Sequence, residues 1–494
     1  MNPTPDLATL EASGLIKLAS LEPELEYLFR HALVQDAAYG SLLKQERRRL
    51  HARAAEVLLS TYPDRRRELA GVIALHFEQA GEMGRAVEHL VVAGEHALER
   101  FANREAMDFF ERAFTDLPDD DARPDAIGLK LRAAIGAAKA GWTFESADKF
   151  VDRLTALLPR AEGQVEPRVV ADGYFWNAFL RQRRDERPET SPELRHALER
   201  ASEIGEALGD PVARAIPQAF VGMFMVFTGR LREGTAILES VLPAIEQGGD
   251  ILSAALLADG LTMAYAQLGE FEAAEHAVAL ARRLAEKGDP IARLDAMIAT
   301  ASIALERGDL KEGLALASTC AQQADELGAV ACAVGSNILL GLGRLSVDDV
   351  PGAKPPLVRG HDLSLLVNMP GMRNMAQAGL TAIDARVGDI GATAGGWERA
   401  LGEARALGDP FQEAIILRQR ALGSERGPSP DRDAVVKDLV AAIELLERIE
   451  ARPELARALR DQARVLDALG RADEAKTVRE RSTAIARELD LHDF

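Results

Sequence analysis

Nine histidines, two cysteines and 78 acidic residues are the side chains from which metal or nucleophilic chemistry would have to be assembled. A transition-metal site needs imidazoles or thiolates about one helical turn apart, with further donors close by. His89 and His96 are seven residues apart and could share a helix face, as could His76 with Gln79, but no His-x-x-x-His pair and no clustered acid joins them. Cys320 and Cys332 fall in two successive predicted helices and read as buried thiols of a reducing compartment. No GxSxG and no cysteine-histidine signature marks a nucleophile. The carboxylates are spread along helical faces, where ion pairing accounts for them. The lysine-bearing phosphate loop GxxxxGK[ST] is missing, and no Gly-Lys pair occurs anywhere. No residue is assigned a catalytic, cofactor or metal role, and the chain is read as non-enzymatic with no cofactor.

Binding chemistry is better supplied. The run "YFWNAFLRQRR" at 174–184 gathers Tyr174, Trp176, Asn177, Arg181 and Arg184, a candidate groove in which amide and guanidinium groups could hold a peptide backbone or carboxylate. The same residues also fit the interior of an atypically packed early repeat, and both readings stand. The Met and Phe stripe of "FVGMFMVF" at 220–227 likewise reads as a binding face or as core.

The elements that must position these groups are helices. Hydrophobic residues make up 47% and aromatics 5%, so the apolar share is mostly Ala and Leu, which enter helices at little cost. Stop signals recur about every forty residues: "ALGDP" (207–211), "QGGD" (247–250), "EKGDP" (286–290), "ELGAV" (326–330), "NMPG" (368–371) and "ALGDP" (406–410). A second set falls between them, as in "QLGEFEAA" (267–274) and "ERGDLKEG" (306–313), so each repeat is helix, short turn, helix. In the segment 251–269, Leu252, Leu256, Leu257 and Leu261 keep the three-and-four step, and Phe271, Ala274, Val278, Ala281 and Ala285 continue it in the next. Stacked hairpins of this kind bury a continuous core and curve into a superhelix with a concave side.

The pattern in "AYAQLGEFEAAEHAVALA" (264–281) resembles a tetratricopeptide repeat, with a period longer than the standard one. The likeness covers about residues 66–490 and weakens at 344–360, where two prolines sit inside the expected second helix. Ahead of the repeats, Leu15–Leu18 and Leu25–Phe29 read as two short strands around a Glu-Pro turn, followed at once by a helix. The run "LFRHALVQDAAYGSLLKQERRRLHARAAEVLL" (28–59) closely resembles a segment of the signal-transduction ATPases with numerous domains, the STAND proteins, especially bacterial ones fused to adenylyl or guanylyl cyclase domains. That resemblance implies a winged-helix exit and makes Phe29, His31, Asp36 and Tyr39 a motif coupling a nucleotide switch to a sensor. The engine of such a protein is missing and Met1 falls inside what the resemblance makes the winged helix, which implies a truncated gene assignment, a split gene or a chain cut at that point.

The expectation is an all-α superhelical array of tetratricopeptide-like hairpins with a small winged-helix remnant. Residues 1–60 are that remnant with its connecting helices, 61–190 the first, irregular repeats, and 191–494 the regular array. A net charge of −19 disfavours nucleic acid over most of the surface, and the arginine run at 44–53 reads as a solvated helix face. The longest apolar run, 219–227, is too short to cross a membrane, and no secretory signal precedes it. A cytoplasmic chain with a protein or peptide partner is expected, or a small-molecule inducer, with output through a cyclase or transcription.

Overall fold

The computed structural model describes residues 4–20, 26–119, 121–248, 251–286, 288–388, 390–425 and 431–494. They form twenty-four α-helices, one short 3-10 turn and one two-stranded sheet. Two compact units emerge: Met1–His96 with Asp108–Ala122, and Ala97–Met107 with Arg123–Phe494.

In the first unit the strands Ile16–Ser20 and Glu26–Phe29 pair antiparallel, with Ile16 opposite Phe29 and Lys17 opposite Leu28. The expected Glu22-Pro23 turn and Leu25 lie outside the described residues. Helix Ala32–Ser41 follows and buries none of its residues. A small core of Ala55, Ile73, Phe77 and Ala86 ties Lys44–Thr61 to the helices after it.

The second unit is built from helical hairpins, and its punctuation has a physical reading. At "GDP" the glycine ends one helix in the left-handed region, as Gly209 does with φ 64°. The aspartate then caps the next helix: Asp210 Oδ1 accepts from the N–H groups of Val212 and Ala213, and Asp289 Oδ1 from that of Ile291. The proline takes the first turn, where no N–H is needed. Where the glycine is missing, short polar residues supply the same conformation, Asp348 at φ 62° and Asn368 at φ 50°. The stop at 368–371 therefore works through Asn368, while Gly371 lies inside the next helix.

The weak repeat at 344–360 is a full hairpin. Helix Val350–Leu366 runs through Pro355 and Pro356. Pro356 has no N–H to give the carbonyl of Gly352 one turn back, and Arg344 Nη1 donates to that oxygen instead at 2.6 Å. Paired helices elsewhere approach closely through small residues: a Cβ on Gly234 would stand 2.7 Å from the carbonyl oxygen of Gly222. Of the 251–269 apolar set, Leu257 and Leu261 are buried; the side chains of Leu252 and Leu256 lie outside the described ones.

Within the second unit the array curls until it meets itself. Asn368 Nδ2 reaches Asp148 Oδ1 at 3.5 Å, Arg187 Nε donates to the carbonyl of Leu407 at 3.1 Å, and Arg232 Nε pairs with Glu450 at 2.8 Å. These partners are 218 to 220 residues apart, or between five and six hairpins. Asp185 Oδ2 accepts from the Gly371 N–H at 2.5 Å across 186 residues, and His492 Nδ1 meets Asp309 Oδ1 at 2.7 Å across 183. Contacts at separations of 183 to 220 residues are what a superhelix with little rise per turn produces, and the curl bounds a lumen.

Candidate functional site

The lumen is lined mainly by the first helices of six hairpins, Ile251–Leu268, Pro290–Arg307, Val330–Ser346, Pro370–Val387, Pro410–Glu425 and Arg452–Ala468, joined by Leu310 and Asp493. They enclose a cavity of ≈ 320 Å³. Its walls are apolar at Met263, Leu305, Leu339, Leu342, Met375, Phe411 and Ile415, and one end is strongly polar.

Arg457 organises that end. Its Nη1 donates to Glu454 Oε1 at 2.9 Å and Glu306 Oε2 at 3.2 Å, its Nε to Asp493 Oδ2 at 2.9 Å, and its Nη2 to the carbonyl of Glu306 at 2.8 Å. Burial acts to lower its pKa, but the surrounding Glu454, Glu306 and Asp493 outweigh it and raise the value. Arg418 holds the other side, with Nη1 2.9 Å from Glu454 Oε2 and Nε 2.7 Å from Asp461 Oδ2. Arg460 Nη1 donates to the Asp493 carbonyl at 2.8 Å. Glu306 differs from its neighbours: burial, then the nearby Glu454 charge, pushes it up to about 7 against the pull of Arg457. With that proton in place three arginines face three acids, so the cavity end carries little net charge. Gln419 Oε1, also on the wall, is sealed and accepts no hydrogen bond. The arrangement can therefore select a ligand by donated hydrogen bonds and apolar contact. Among the described residues no group of three or more His, Cys, Asp or Glu side chains is placed to hold a metal ion.

The residues singled out at 174–184 lie elsewhere. Tyr174, Trp176, Asn177 and Arg181 are buried. Tyr174 donates to Glu162 Oε1 at 2.6 Å, and burial followed by that bond pushes its hydroxyl up to about 12. Asn177 Nδ2 donates to the Val151 carbonyl and to Thr155 Oγ1, and its Oδ1 accepts from Arg181 Nε at 2.9 Å. Arg181 also pairs with Glu186 at 3.0 Å, and Trp176 packs edge-on to Phe179. Arg184 is half-exposed beside Asp148 at 3.2 Å. In the 220–227 stripe Phe220, Phe224 and Val226 are buried. Of the motif at 29–39, Tyr39 hydroxyl meets His51 Nε2 at 3.0 Å, and His51 Nδ1 stands 2.8 Å from His76 Nδ1. Phe29, His31 and Asp36 are exposed, and His31 occupies the N-cap position without a capping bond from its side chain. Cys320 and Cys332 are free and buried on successive helices.

Sequence reasoning missed the lumen residues. The available signal was a helix of the last hairpin in which Glu454, Arg457 and Asp461 repeat at three-and-four spacing on the face that is apolar in other repeats.

No family model matches the chain. An uncharacterized protein of Rhizobium meliloti (strain 1021) is 34% identical over 141 residues, which is 27% of this chain and 13% of that protein. The chain thus matches only a small part of that relative's length. Among solved structures, a Rap protein complexed with Competence and Sporulation Factor aligns over 82% of this chain and 98% of its own, with a TM-score of 0.50 and 14% identity. The fold is a tetratricopeptide-like superhelical array. A STAND protein with a tetratricopeptide repeat sensor from Pyrococcus horikoshii aligns over 97% of this chain and 61% of its own, with a TM-score of 0.36 and 16% identity. At 14% identity the likeness to the Rap protein speaks to fold alone. No described helix is long and apolar enough to cross a membrane.

Proposed function

We propose that this chain is a non-enzymatic sensing module, working in the cytoplasm, whose lumen receives a peptide or a segment of a protein. The observation that carries the reading is the cavity, with an apolar wall and a charge-balanced polar end. An extended peptide supplies apolar side chains for the wall and backbone polar groups for the charged end. The shared fold with a Rap protein solved with a bound factor supports the same use of the array. Selection from a random-peptide library displayed on phage tests it. Enrichment is expected on the native chain and not on Ile415→Trp, which fills the lumen; equal enrichment on both contradicts the reading.

A cavity of ≈ 320 Å³ also falls in the range of small-molecule sites. An inducer is therefore the second reading, favoured if a metabolite panel raises the melting temperature while no peptide is enriched.

We further propose that residues 1–60 are the exit of a winged-helix domain and join the array to a nucleotide-dependent switch of the STAND type, regulating cyclic-nucleotide synthesis or transcription. Two features support this: the resemblance of 28–59, and the apolar surface left on the first unit, where Leu33 is 82% and Leu43 76% exposed. A reading frame continuing upstream of the Met1 codon and encoding GxxxxGK[ST] is the expected finding; a stop codon behind a ribosome-binding site there contradicts it. In this account Tyr174, Trp176, Asn177, Arg181 and Arg184 hold neighbouring helices of the early hairpins together and do not touch the ligand.

A further inference from the structure

The polar end of the cavity is occupied by a piece of the chain itself. Helix Ala472–Glu488 stops at Leu489, and Asp490 turns the backbone with φ 52° into a non-helical segment. Leu489 and Leu491 are buried in one cluster with Phe271, Val278 and Ile303, and this apolar anchor fixes the root of the segment. From His492 onward the grip becomes polar. The His492 N–H donates to the Arg307 carbonyl at 2.8 Å, its ring meets Asp309, and Arg460 Nη1 donates to the Asp493 carbonyl at 2.8 Å. Gly308, at φ 94°, makes room for Asp493, since a Cβ there would lie 2.6 Å from the Asp493 backbone nitrogen.

Asp493 thereby forms part of the cavity wall. Arg457 takes its carboxylate as a fork, with Nε on Oδ2 at 2.9 Å and Nη2 on Oδ1 at 3.2 Å, the geometry by which a guanidinium recognises any carboxylate. Arg457 does not depend on this partner for its position. Glu454, Glu306 and the carbonyls of Leu305 and Glu306 hold the same guanidinium, so the fork keeps its place on the wall when Asp493 leaves. The charge count does change. With Glu306 protonated, Arg418, Arg457 and Arg460 then face Glu454 and Asp461 alone, one acid short. A ligand carboxylate in that place remakes the two hydrogen bonds that Asp493 gives up, so the exchange costs little, whereas loss without replacement is expensive. Little else retains the segment beyond Leu491: Phe494 is 45% exposed beside Arg460, and the pair of His492 with Asp309 is open to solvent.

We propose that His492–Phe494 is an internal occupant of the lumen, and that the peptide received there carries an aspartate or glutamate whose carboxylate displaces Asp493 from Arg457. The inference rests on the reading of the cavity as a peptide site. It specifies the side chain that the site selects and the autoinhibitory contact that such a ligand overcomes. Tethered close to a fixed helix end, Asp493 competes at a high effective concentration. A peptide without the carboxylate leaves the segment seated and uses the apolar wall alone.

The test uses two pooled pentapeptide libraries of sequence XXDXX and XXNXX, with X drawn from uncharged residues, an amidated end and a neutral fluorescent dye at the other. Each is titrated by fluorescence polarisation against the full chain and against its Asp493→Asn and Asp493→Ala variants, below the pH of about 7 at which Glu306 gives up its proton. The aspartate pool is expected to half-saturate both variants at a concentration about tenfold lower than the native chain, the size of one charged hydrogen-bonded competitor removed. The asparagine pool should bind all three chains alike, which also certifies that the variants are folded. An aspartate pool that binds native chain and variants equally makes Asp493 a fixed part of the wall and overturns the proposal, while the cavity reading stands. An equal gain for both pools overturns it too, because loosening would then replace competition for the carboxylate site. Failure of both pools on all three chains overturns the proposal together with the reading on which it rests.

Discussion

Glu306 is the group through which pH reaches the lumen. Its ordinary value is 4.5 and burial carries it to about 7 in the folded chain. Below pH 4.5 the carboxyl is protonated in both the folded and the unfolded chain. Between 4.5 and about 7 only the folded chain keeps the proton, so ionisation favours the unfolded state and this group's contribution to stability falls as pH rises through that window. Glu306→Gln removes the titration while keeping an acceptor for Arg457. The melting temperature of the native chain, followed by calorimetry from pH 4.5 to 7.5, should therefore decline more steeply than that of the variant, and parallel curves would contradict the assignment. Asn177 makes a different kind of contribution. It is buried and satisfies Thr155, the Val151 carbonyl and Arg181 at once. Asn177→Ala removes three hydrogen bonds from a buried cluster, although Arg181 keeps Glu186 and Thr155, and should cost about 1–3 kcal/mol by urea denaturation. A partner-binding role alone would instead lower partner capture with stability unchanged.

At the scale of the helix and hairpin, the architecture was legible in the sequence because its signals are local. Glycine, aspartate and proline at each joint specify a left-handed stop, a cap and a first turn within three residues, and the structure uses them at 209–211 and 288–290 as the sequence implies. The repeat at 344–360 looked damaged because its compensation is not adjacent in sequence to the defect. Arg344 belongs to the preceding helix and repairs the Gly352 carbonyl that Pro356 leaves open. Arg344→Met keeps the stem and removes the donor. It should destabilise the chain by about 1 kcal/mol, with hydrogen exchange rising over 350–366 before the rest of the array; uniform exchange would show that the proline helix stands without it. The lumen was illegible for the opposite reason. Glu454 and Arg457 look like a solvated pair one turn apart, and only the curl of the array brings Glu306, 151 residues away, and Asp493, 36 residues away, against them.

For the second unit as a whole, the repeated separation of 183 to 220 residues between touching partners turns a one-dimensional array into a closed coil. Each hairpin then has neighbours both in sequence and one superhelical turn away, so stability is less local than in an open solenoid. Asp185→Ala removes the acceptor that holds the Gly371 N–H. It should loosen the coil at that turn, raising exchange both near 185 and over 370–374, and a response limited to one of the two segments would mean that the turns are not coupled. Closure also makes the lumen a place rather than a surface, since its walls come from six hairpins at once. The decisive measurement is hydrogen-deuterium exchange of the intact chain with and without a peptide selected on it. Protection concentrated on lumen helices, at 263–267, 302–306, 411–419 and 454–460, is the result this account predicts. Protection confined to the second helices of the hairpins, or to residues 1–60, would contradict it.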